Sequence, residues 1–420
     1  MNIIEDIEIQ AYKGIEEISF PCNSINIIVG PNNTGKSSIL ESIWLAVSSI
    51  NNFTDSLGNE FEDLIGKEDS LEYLDDFKYL IFEGKNESKI KLRFSENNNV
   101  ELNLKYCEKG YLEEISDFFR NFLLSLNDSD LSPWAYEIFG SRERDIDYRL
   151  RELQRIGRLY KPDESKEKFD LLVKELSDIV DSKKEKIRNE LISSKKLFAI
   201  SRVNEKLTAI YLLTKIYEGQ IFSQYNDVND VNSGPVKNIP LLISSPNIAA
   251  DVSVLHDKLL SGNKIQEVIK TLKKKIPYFE DIRKKNDALV VLLNNVTEPL
   301  PFAFMGDGFK ALLKLTFMAP LVENGIVLFE EPEVSMHPGY LDILADELVS
   351  SSEASQFFVS THSLEFIDYL LEIAEKRNKI DNINIIKLHR LSNGEIERQI
   401  YGGREAKQKI EDIQIDLRGY

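Results

Sequence analysis

The sequence predicts an α/β fold whose central sheet is built from the two ends of the chain. Near the start, an isoleucine-rich strand at 25–29 leads into a glycine-rich loop and then into an amphipathic helix. Near the end, the apolar runs at 326–329, 356–360 and 383–390 have the composition of buried parallel strands. Because strands and helices alternate at both ends, we expect the two ends to close into one sheet.

The remaining elements follow from local periodicity. Residues 3–10 are predicted to form a strand, and 88–94 with 99–106 alternate apolar and polar positions around a polar turn, which predicts a hairpin. From about 111 to 220, apolar residues recur at helical spacing within a charged but nearly neutral stretch, which predicts a solvated helical arm. Further predictions are a connection at 224–247, a strand at 288–293 and helices at 252–275, 306–318, 339–350 and 363–377.

These patterns divide the chain into three parts. Residues 1–110 are predicted to form an N-terminal lobe that carries the glycine-rich loop and the hairpin. Residues 111–247 are predicted to form a mainly helical insertion with its connection, and 248–420 a C-terminal lobe.

The composition is typical of a soluble globular protein. The 52 basic and 70 acidic side chains give a formal net charge of −18, which excludes a generally basic nucleic-acid coat but not a local basic groove. The two cysteines, Cys22 and Cys107, exclude a disulfide scaffold. No apolar run approaches the ~18 residues that cross a bilayer, and the start is acidic rather than signal-like, so we expect a cytoplasmic protein without membrane contact.

The strongest chemical signal is the phosphate-binding P-loop pattern Gly-x-x-x-x-Gly-Lys-Ser at 30–37, placed between a strand and a helix. Glycines let the backbone curl around phosphates, and the amides at a helix N-terminus attract their charge. We expect ATP and Mg²⁺ here, with Lys36 reaching the β- and γ-phosphates and Ser37 supplying a hydroxyl to the metal. The predicted nucleotide-binding residues of this loop are Gly30, Asn32, Asn33, Thr34, Gly35, Lys36, Ser37 and Ser38.

Two further motifs lie at the carboxyl ends of predicted strands, where open α/β sheets place their ligands. In IVLFEEPE, Glu330 is expected to hold Mg²⁺ through water and Glu331 to act as the general base on the attacking water. After QFFVS, His362 is expected to hydrogen-bond the γ-phosphate or that water. Glu331, His362 and Lys36 are therefore the predicted catalytic residues, and solubilising acids with a surface histidine are the purely structural alternative.

Taken together and in this order, five segments resemble the ABC-type ATPase heads of the RecF, structural-maintenance-of-chromosomes and OLD (overcoming lysogenization defect) group. They are AYKGI at 11–15, GPNNTGKSS at 30–38, FMGDGFKALLKL at 304–315, LFEEPEVSMHP at 328–338 and STHSLEFI at 360–367. The resemblance implies an ABC-type P-loop NTPase sheet and an ATPase whose two heads sandwich two nucleotides. It therefore implies an ATP-dependent homodimer or a higher oligomer.

The resemblance also implies site residues outside the three motifs. Gly306-Asp307-Gly308 is similar to the signature segment that completes the partner's site, with Gly306 and Gly308 at the nucleotide, although a serine usually stands at the position of Gly306. Lys13 resembles a basic residue that the group carries near the nucleotide. The plainer interpretations are glycines at a helix start and an exposed turn lysine.

Many OLD-type proteins carry a metal-dependent Toprim nuclease domain after the ATPase. Only 58 residues follow His362, which is too few for such a domain, so we expect an ATPase alone. The glutamine of the usual Q-loop is not identifiable.

Two basic stretches are compatible with a DNA partner but also with a protein that does not bind DNA. Arg144, Arg151, Arg155 and Arg158 recur at helical spacing, and 263–286 holds eight basic against three acidic residues. Such faces neutralise DNA phosphates, although solvated helices with ion pairs are the plainer interpretation. The first hypothesis is ATP hydrolysis that acts on double-stranded DNA. The second is a nucleotide-gated scaffold for a separately encoded nuclease or toxin effector, for example in phage defence.

Overall fold

The described part of the chain forms three sheets, with helices packed on the central one. A computed structural model describes residues 3–51, 53–59, 77–85, 87–106, 197–215, 221–227, 236, 239–244, 251–285, 288–334 and 336–413. The stretch that was predicted as a helical insertion therefore lies outside the described residues from 111 to 196, and so does its arginine stripe, Arg144, Arg151, Arg155 and Arg158.

The central six-stranded sheet joins the two ends of the chain, as predicted. Its strands are β3 (Ile25–Val29), β9 (Leu241–Ser244), β13 (Ile326–Glu330), β14 (Gln356–Ser360), β15 (Ile383–Arg390) and β16 (Ile396–Gly402). Their order is β16-β15-β3-β14-β13-β9, and every neighbouring pair is parallel except β15 with β16. The N-terminal strand β3 thus lies between two C-terminal strands.

A seven-stranded antiparallel sheet covers the other side of the P-loop helix. Its strands are β1 (Ile4–Tyr12), β2 (Ile15–Pro21), β4 (Glu87–Phe94), β5 (Asn98–Tyr106), β6 (Leu197–Val203), β7 (Lys206–Lys215) and β8 (Ile221–Asp227). Their order is β2-β1-β4-β5-β6-β7-β8. The predicted hairpin of β4 and β5 is confirmed, with Leu92 opposite Val100.

Strands β6 and β7 correct the prediction of helical structure up to residue 220, and β8 overlaps the start of the predicted connection at 224–247. The segment LFAISRV of β6 is an apolar run whose length fits a buried helical turn or a strand, and only its pairing with β5 decides between them. Likewise, β9 replaces part of the predicted connection at 224–247 and pairs with β13. The boundaries at 110 and 247 stay a prediction, but β6–β8 extend the sheet of the N-terminal lobe.

Seven helices and a small third sheet complete the described residues. The helices are α1 (Lys36–Ser48), α2 (Val252–Ser261), α3 (Ile265–Lys275), α4 (Asp307–Met318), α5 (Pro338–Ser351), α6 (Leu364–Lys376) and α7 (Gly403–Ile413). The third sheet contains β10 (Phe279–Lys285), β11 (Ala288–Leu293) and β12 (Leu300–Pro301). The predicted helix at 252–275 is two helices, because α2 ends at Gly262.

The P-loop helix α1 is enclosed on nearly all sides. Apart from Ser37 and Ser38, all of its residues are buried, and Trp44 has no solvent exposure. One core packs α1 between the central sheet and the antiparallel sheet, whereas a second core packs α2–α6 on the opposite face of the central sheet. An enclosed helix of this kind is apolar on most of its circumference, and in ILESIWLAV only Glu41 and Ser42 are polar, both of them buried. None of the helices in the described ranges has the length and apolarity of a membrane span.

Gln356 joins the two large sheets through a buried amide. Its Oε1 accepts the Ile4 N–H at 2.9 Å, and its Nε2 donates to Ile4 O at 2.8 Å and to Asn23 O at 2.9 Å. Because Gln356 and Ile4 are both fully buried, the N–H and C=O of Ile4 have no access to replacement water, whereas Asn23 O also accepts from Asn26 Nδ2 at 2.7 Å.

We therefore expect Gln356→Ala to lower the free energy of unfolding by roughly 2–4 kcal/mol, since it leaves buried backbone groups unpaired and opens a cavity. Urea denaturation measures the loss. Gln266→Ala, at an exposed position of α3, is the matched control and should change the stability by less than about 0.5 kcal/mol. Equal stability of the two variants would contradict the role of Gln356 in joining the sheets.

Candidate nucleotide-binding site

The P-loop follows β3 and takes a backbone conformation that requires glycine at two positions. Gly30 has φ +153°, Asn33 +62° and Gly35 +89°. A Cβ atom at Gly30 would lie 2.6 Å from Leu388 O, so the neighbouring strand β15 leaves no room for a side chain. The loop ends at Gly35, directly before the first turn of α1. Asn32 and Asn33 are exposed in the loop, and Ser38 is half-buried in the first turn of α1.

Lys36 lies inside the loop that precedes it. Its Nζ donates to Gly30 O at 3.1 Å and to Pro31 O at 3.0 Å, and Thr34 Oγ1 also donates to Pro31 O at 2.8 Å. Burial lowers the pKa of the Lys36 ammonium, while the nearby carboxylates of Glu331, Glu330 and Glu333 oppose that shift, in this order of size. The ammonium therefore lies beside the loop backbone, where a bound phosphate would become its partner.

Glu330 and Ser37 lie close together, at the place where the sequence predicts a metal site. Glu330 ends β13, and the Ser37 side chain is near enough to interact with its carboxylate. Burial is the main cause that raises the pKa of Glu330, and the charge of Glu331 raises it further. A hydroxyl and a carboxylate fit a hard cation such as Mg²⁺, which completes its shell with phosphate oxygens and water. Within the described residues no cluster of three or more His, Cys, Asp or Glu is placed to hold a metal ion.

Glu331 and His362 meet where β13 and β14 end. Glu331 has φ +45° and donates its N–H to Ser360 O at 2.9 Å, which fixes the backbone after β13. Its Oε1 lies 3.3 Å from His362 Nε2. The structure thus brings together Lys36, Ser37 and these two side chains with Glu330, at the edge of the sheet where the sequence predicts them.

Glu333 belongs to the same group; the sequence indicated it as a further acid of the Mg·ATP site but gave it no role in binding or catalysis. Its Oε1 accepts the backbone N–H of His362 at 2.7 Å, so it connects the turn after β13 to the segment that carries the histidine. The available signal was a third acid directly after the EEP sequence. Three buried atoms here have no hydrogen-bond partner within the described residues: Glu333 Oε2, Ser360 Oγ and His362 Nε2, whose 3.3 Å contact with Glu331 Oε1 lacks hydrogen-bond geometry. The serine hydroxyl and an imidazole N–H can donate to water or to a phosphate oxygen, whereas the carboxylate oxygen can only accept, for example from water.

The residues inferred from family resemblance occupy two different places. Lys13 lies in the turn after β1, and its Nζ is 2.6 Å from Glu41 Oε2 of α1. Its charge also acts on Glu330, whose pKa it lowers. Gly306 is the exposed N-cap of α4 and Gly308 lies in its first turn. α4 packs on α2 and α5, and the role of its two glycines at a nucleotide stays a prediction.

Arg390 is a residue of the site that the sequence did not predict. It ends β15 and reaches the P-loop, where its Nε donates to Asn33 O at 2.9 Å. An arginine in INIIKLHR carries no signal of its own. Its place becomes meaningful only because β15 pairs with β3, the strand that leads into the P-loop.

A glycine-rich loop on a helix N-terminus, with acids and a histidine at the ends of adjacent strands, defines the site of a P-loop NTPase. In agreement with this class, the sequence profile described as "AAA ATPase domain" matches residues 1–367, and the chain belongs to this family. The predicted recognition as an ATPase head is thereby confirmed. "Uncharacterized protein MJECL11" of Methanocaldococcus jannaschii is 33% identical over 118 residues, which are 27% of this chain and 100% of that protein.

Two solved structures are similar in fold. The Smc head domain of Pyrococcus furiosus, with an extended coiled coil and bound to the C-terminal domain of ScpA, aligns with a TM-score of 0.46 and 14% identity, over 99% of this chain and 100% of that one. The SMC head domain of Thermotoga maritima aligns with a TM-score of 0.44 and 11% identity, over 95% of this chain and 98% of that one.

The raised pKa of Glu330 leads to a stability prediction. A carboxyl whose pKa is higher in the folded than in the unfolded state stabilises the fold at low pH, and this contribution is lost as the pH rises through the folded-state value. Glu330→Gln should therefore raise the nucleotide-free unfolding free energy at pH 7 by about 0.5–2 kcal/mol, the size typical of stabilising substitutions. The gain should shrink towards pH 4.5.

Chemical denaturation at pH 7, 6 and 5 measures this difference. Glu397→Gln, which removes one negative charge from an exposed position of β16, is the matched control. A Glu330→Gln protein that is less stable than the wild type at pH 7 would contradict the electrostatic account of this carboxylate.

Proposed function

We propose that the chain binds ATP with Mg²⁺ and hydrolyses it. The observation that carries this proposal is the meeting of Lys36, Ser37, Glu330, Glu331 and His362 at one edge of the central sheet. A phosphate-binding loop alone is sufficient for nucleotide binding. The acid pair and the histidine at the ends of β13 and β14 supply the groups that a hydrolytic reaction needs in addition.

In the proposed reaction a water oxygen forms a bond to the γ-phosphorus, and the bond from that phosphorus to the β–γ bridging oxygen breaks, so that ADP leaves with the bond's electron pair. Glu331 accepts the proton of the water. His362, 3.3 Å from Glu331, positions the carboxylate and the γ-phosphate oxygens. Ser37 and Glu330 would hold Mg²⁺, which neutralises phosphate charge when it is bound. Lys36, which uses two of its three N–H donors on loop carbonyls, directs the third to the phosphates.

We further propose that a second copy of the chain completes the site. The support is the position of Gly306 and Gly308 at the exposed start of α4, where backbone N–H groups are free to face an anion. Because no serine stands at Gly306, this contact would depend on backbone amides alone. Size-exclusion chromatography with light scattering, with and without ATP on a Glu331→Gln background, tests for ATP-dependent dimers.

Glu331→Gln should lower kcat by at least about 100-fold and leave the ATP dissociation constant within about threefold of wild type, because it removes the general base and keeps the size of the side chain. Phosphate release and nucleotide titration measure the two quantities. Glu372→Gln, at an exposed position of α6, is the control for the loss of one charge. An unchanged kcat would rule out Glu331 as the base.

We propose double-stranded DNA as the partner on which this ATPase acts. The support is the exposed face of α3, which carries Lys270, Lys273 and Lys274 opposite its buried side. Within the described ranges no acidic side chain forms an ion pair with these three lysines, whereas Lys264 pairs with Glu323 and other basic residues of the segment are also neutralised.

Changing Lys270, Lys273 and Lys274 together to glutamine should weaken DNA binding and reduce the slope of log K against log salt by about 2.7, since each lost phosphate contact contributes about 0.9. Fluorescence anisotropy with a DNA duplex at several salt concentrations measures both. The same change at three exposed lysines elsewhere, Lys85, Lys206 and Lys376, is the control.

The alternative is a nucleotide-gated scaffold that regulates a separate nuclease or toxin. It is favoured by the departure of the signature segment from its family pattern at Gly306. Slow turnover that duplex DNA does not stimulate, together with stable ATP-dependent oligomers, would support the scaffold and contradict action on DNA. DNA-stimulated turnover that the triple substitution abolishes would do the reverse.

A further inference from the structure

One arginine side chain connects the P-loop of the candidate nucleotide-binding site to two neighbouring turns. Arg390 donates from Nε to Asn33 O at 2.9 Å in the P-loop, from Nη2 to Gly14 O at 3.2 Å in the turn after β1, and from Nη1 to Gly394 O at 3.2 Å in the β15–β16 turn. All three acceptors are backbone carbonyls. The guanidinium therefore fixes backbone positions rather than the side chains of neighbours.

The P-loop contact matters because of how such a loop binds an anion. Its N–H groups converge on the phosphate, so its carbonyls point away from the ligand and need other donors. Lys36 and Thr34 satisfy the carbonyls of Gly30 and Pro31 from inside the loop. Asn33, in the left-handed region at φ +62°, has its carbonyl satisfied from outside by Arg390.

These two sets of contacts respond differently to a ligand. Lys36 uses two of its three N–H donors on loop carbonyls, so a bound phosphate would take the third and compete with these two contacts. The Arg390 contact reaches the loop from the end of β15 and occupies a carbonyl, so it does not compete with a phosphate for the loop N–H groups. It therefore supports the left-handed conformation of Asn33 whether or not a phosphate is bound.

The chemistry requires arginine rather than any cation. A guanidinium has five donors in a rigid plane, so it can reach three carbonyls in different directions, whereas the ammonium of lysine is a point charge on a flexible chain. The position is set by the sheet: Lys387 of β15 pairs with Val29, the last residue of β3, so that β15 continues beside the loop to Arg390. Gly14 follows Lys13, whose ion pair with Glu41 ties the same turn to α1.

We propose that Arg390 is a positioning residue that holds the P-loop in its phosphate-binding shape and ties it to the Lys13–Gly14 turn and the β15–β16 turn. This inference rests on the proposed ATP binding. It predicts that the arginine acts on nucleotide affinity and leaves the chemical step unchanged, because none of its three contacts involves Glu331 or His362.

The test uses the full chain and titration with a fluorescent mant-ATP, together with steady-state phosphate release. Arg390→Ala should raise the dissociation constant and KM for ATP about 10-fold, with kcat within about twofold of wild type, as expected for losing a few hydrogen bonds from a charged donor near solvent. Arg390→Lys keeps the charge but not the planar fork, so it should show most of the same loss.

The matched control is Arg398→Ala. Arg398, on β16, donates to Ser19 Oγ at 3.2 Å and so joins the same hairpin to β2 without touching the P-loop. The inference predicts wild-type mant-ATP affinity for this control. Circular dichroism and urea denaturation of all variants report folding, and if Arg390→Ala does not fold, Arg390→Lys carries the test.

Three results would overturn the inference: unchanged affinity in both Arg390 variants, full affinity in Arg390→Lys, or an equal loss in Arg398→Ala. The first would make the contact irrelevant to binding, the second would show that charge alone suffices, and the third would indicate a general effect of the hairpin. A wild-type protein that does not bind mant-ATP would instead contradict the proposed function itself.

Discussion

The parallel pairing of β3 with β14 and β15 is the constraint on which the site depends. Parallel strands end at the same edge of a sheet, so the P-loop after β3, the acids after β13 and the histidine after β14 meet there, although Lys36 and Glu330 are 294 residues apart in sequence. The strand register aligns these ends, because Ser360 of β14 lies opposite Ile28 of β3 on one side and Glu330 of β13 on the other. A shift of one residue in either pair would turn these side chains to the other face.

The site also depends on the enclosure of α1 between the two large sheets. Its burial fixes the helix N-terminus that the phosphates need, and Lys13, Glu41 and Gln356 connect the antiparallel sheet to it and to the central sheet. The same enclosure takes Lys36 and Glu330 out of water. This burial lowers the pKa of Lys36 and raises the pKa of Glu330, and both shifts favour the neutral form. The fold therefore holds charged groups in an unfavourable environment at the place where a charged ligand would compensate them.

Some strands could be predicted from the sequence and others could not, for physical reasons. Strands such as β13 and β14 were predictable because a short apolar run that ends in functional residues has few other structural solutions. The segments of β6 and β9 lacked such endings, and their apolar residues were equally compatible with a helix or a connection. Arg390 was missed and the role of Glu333 was not assigned, because both act through backbone contacts, with Asn33 O and His362 N–H, which no residue pattern encodes.

The sequence by itself determined the class of chemistry, because a P-loop followed by an acid-ended strand and a histidine-bearing strand end restricts both the ligand and the fold around it. It also determined that the two ends of the chain share one sheet. Only the tertiary structure decided which groups lie together: Ser37 near Glu330, Glu331 beside His362, and Arg390 against three separate loops. Strand order and register set these contacts, and both arise from packing between residues that are far apart in the chain.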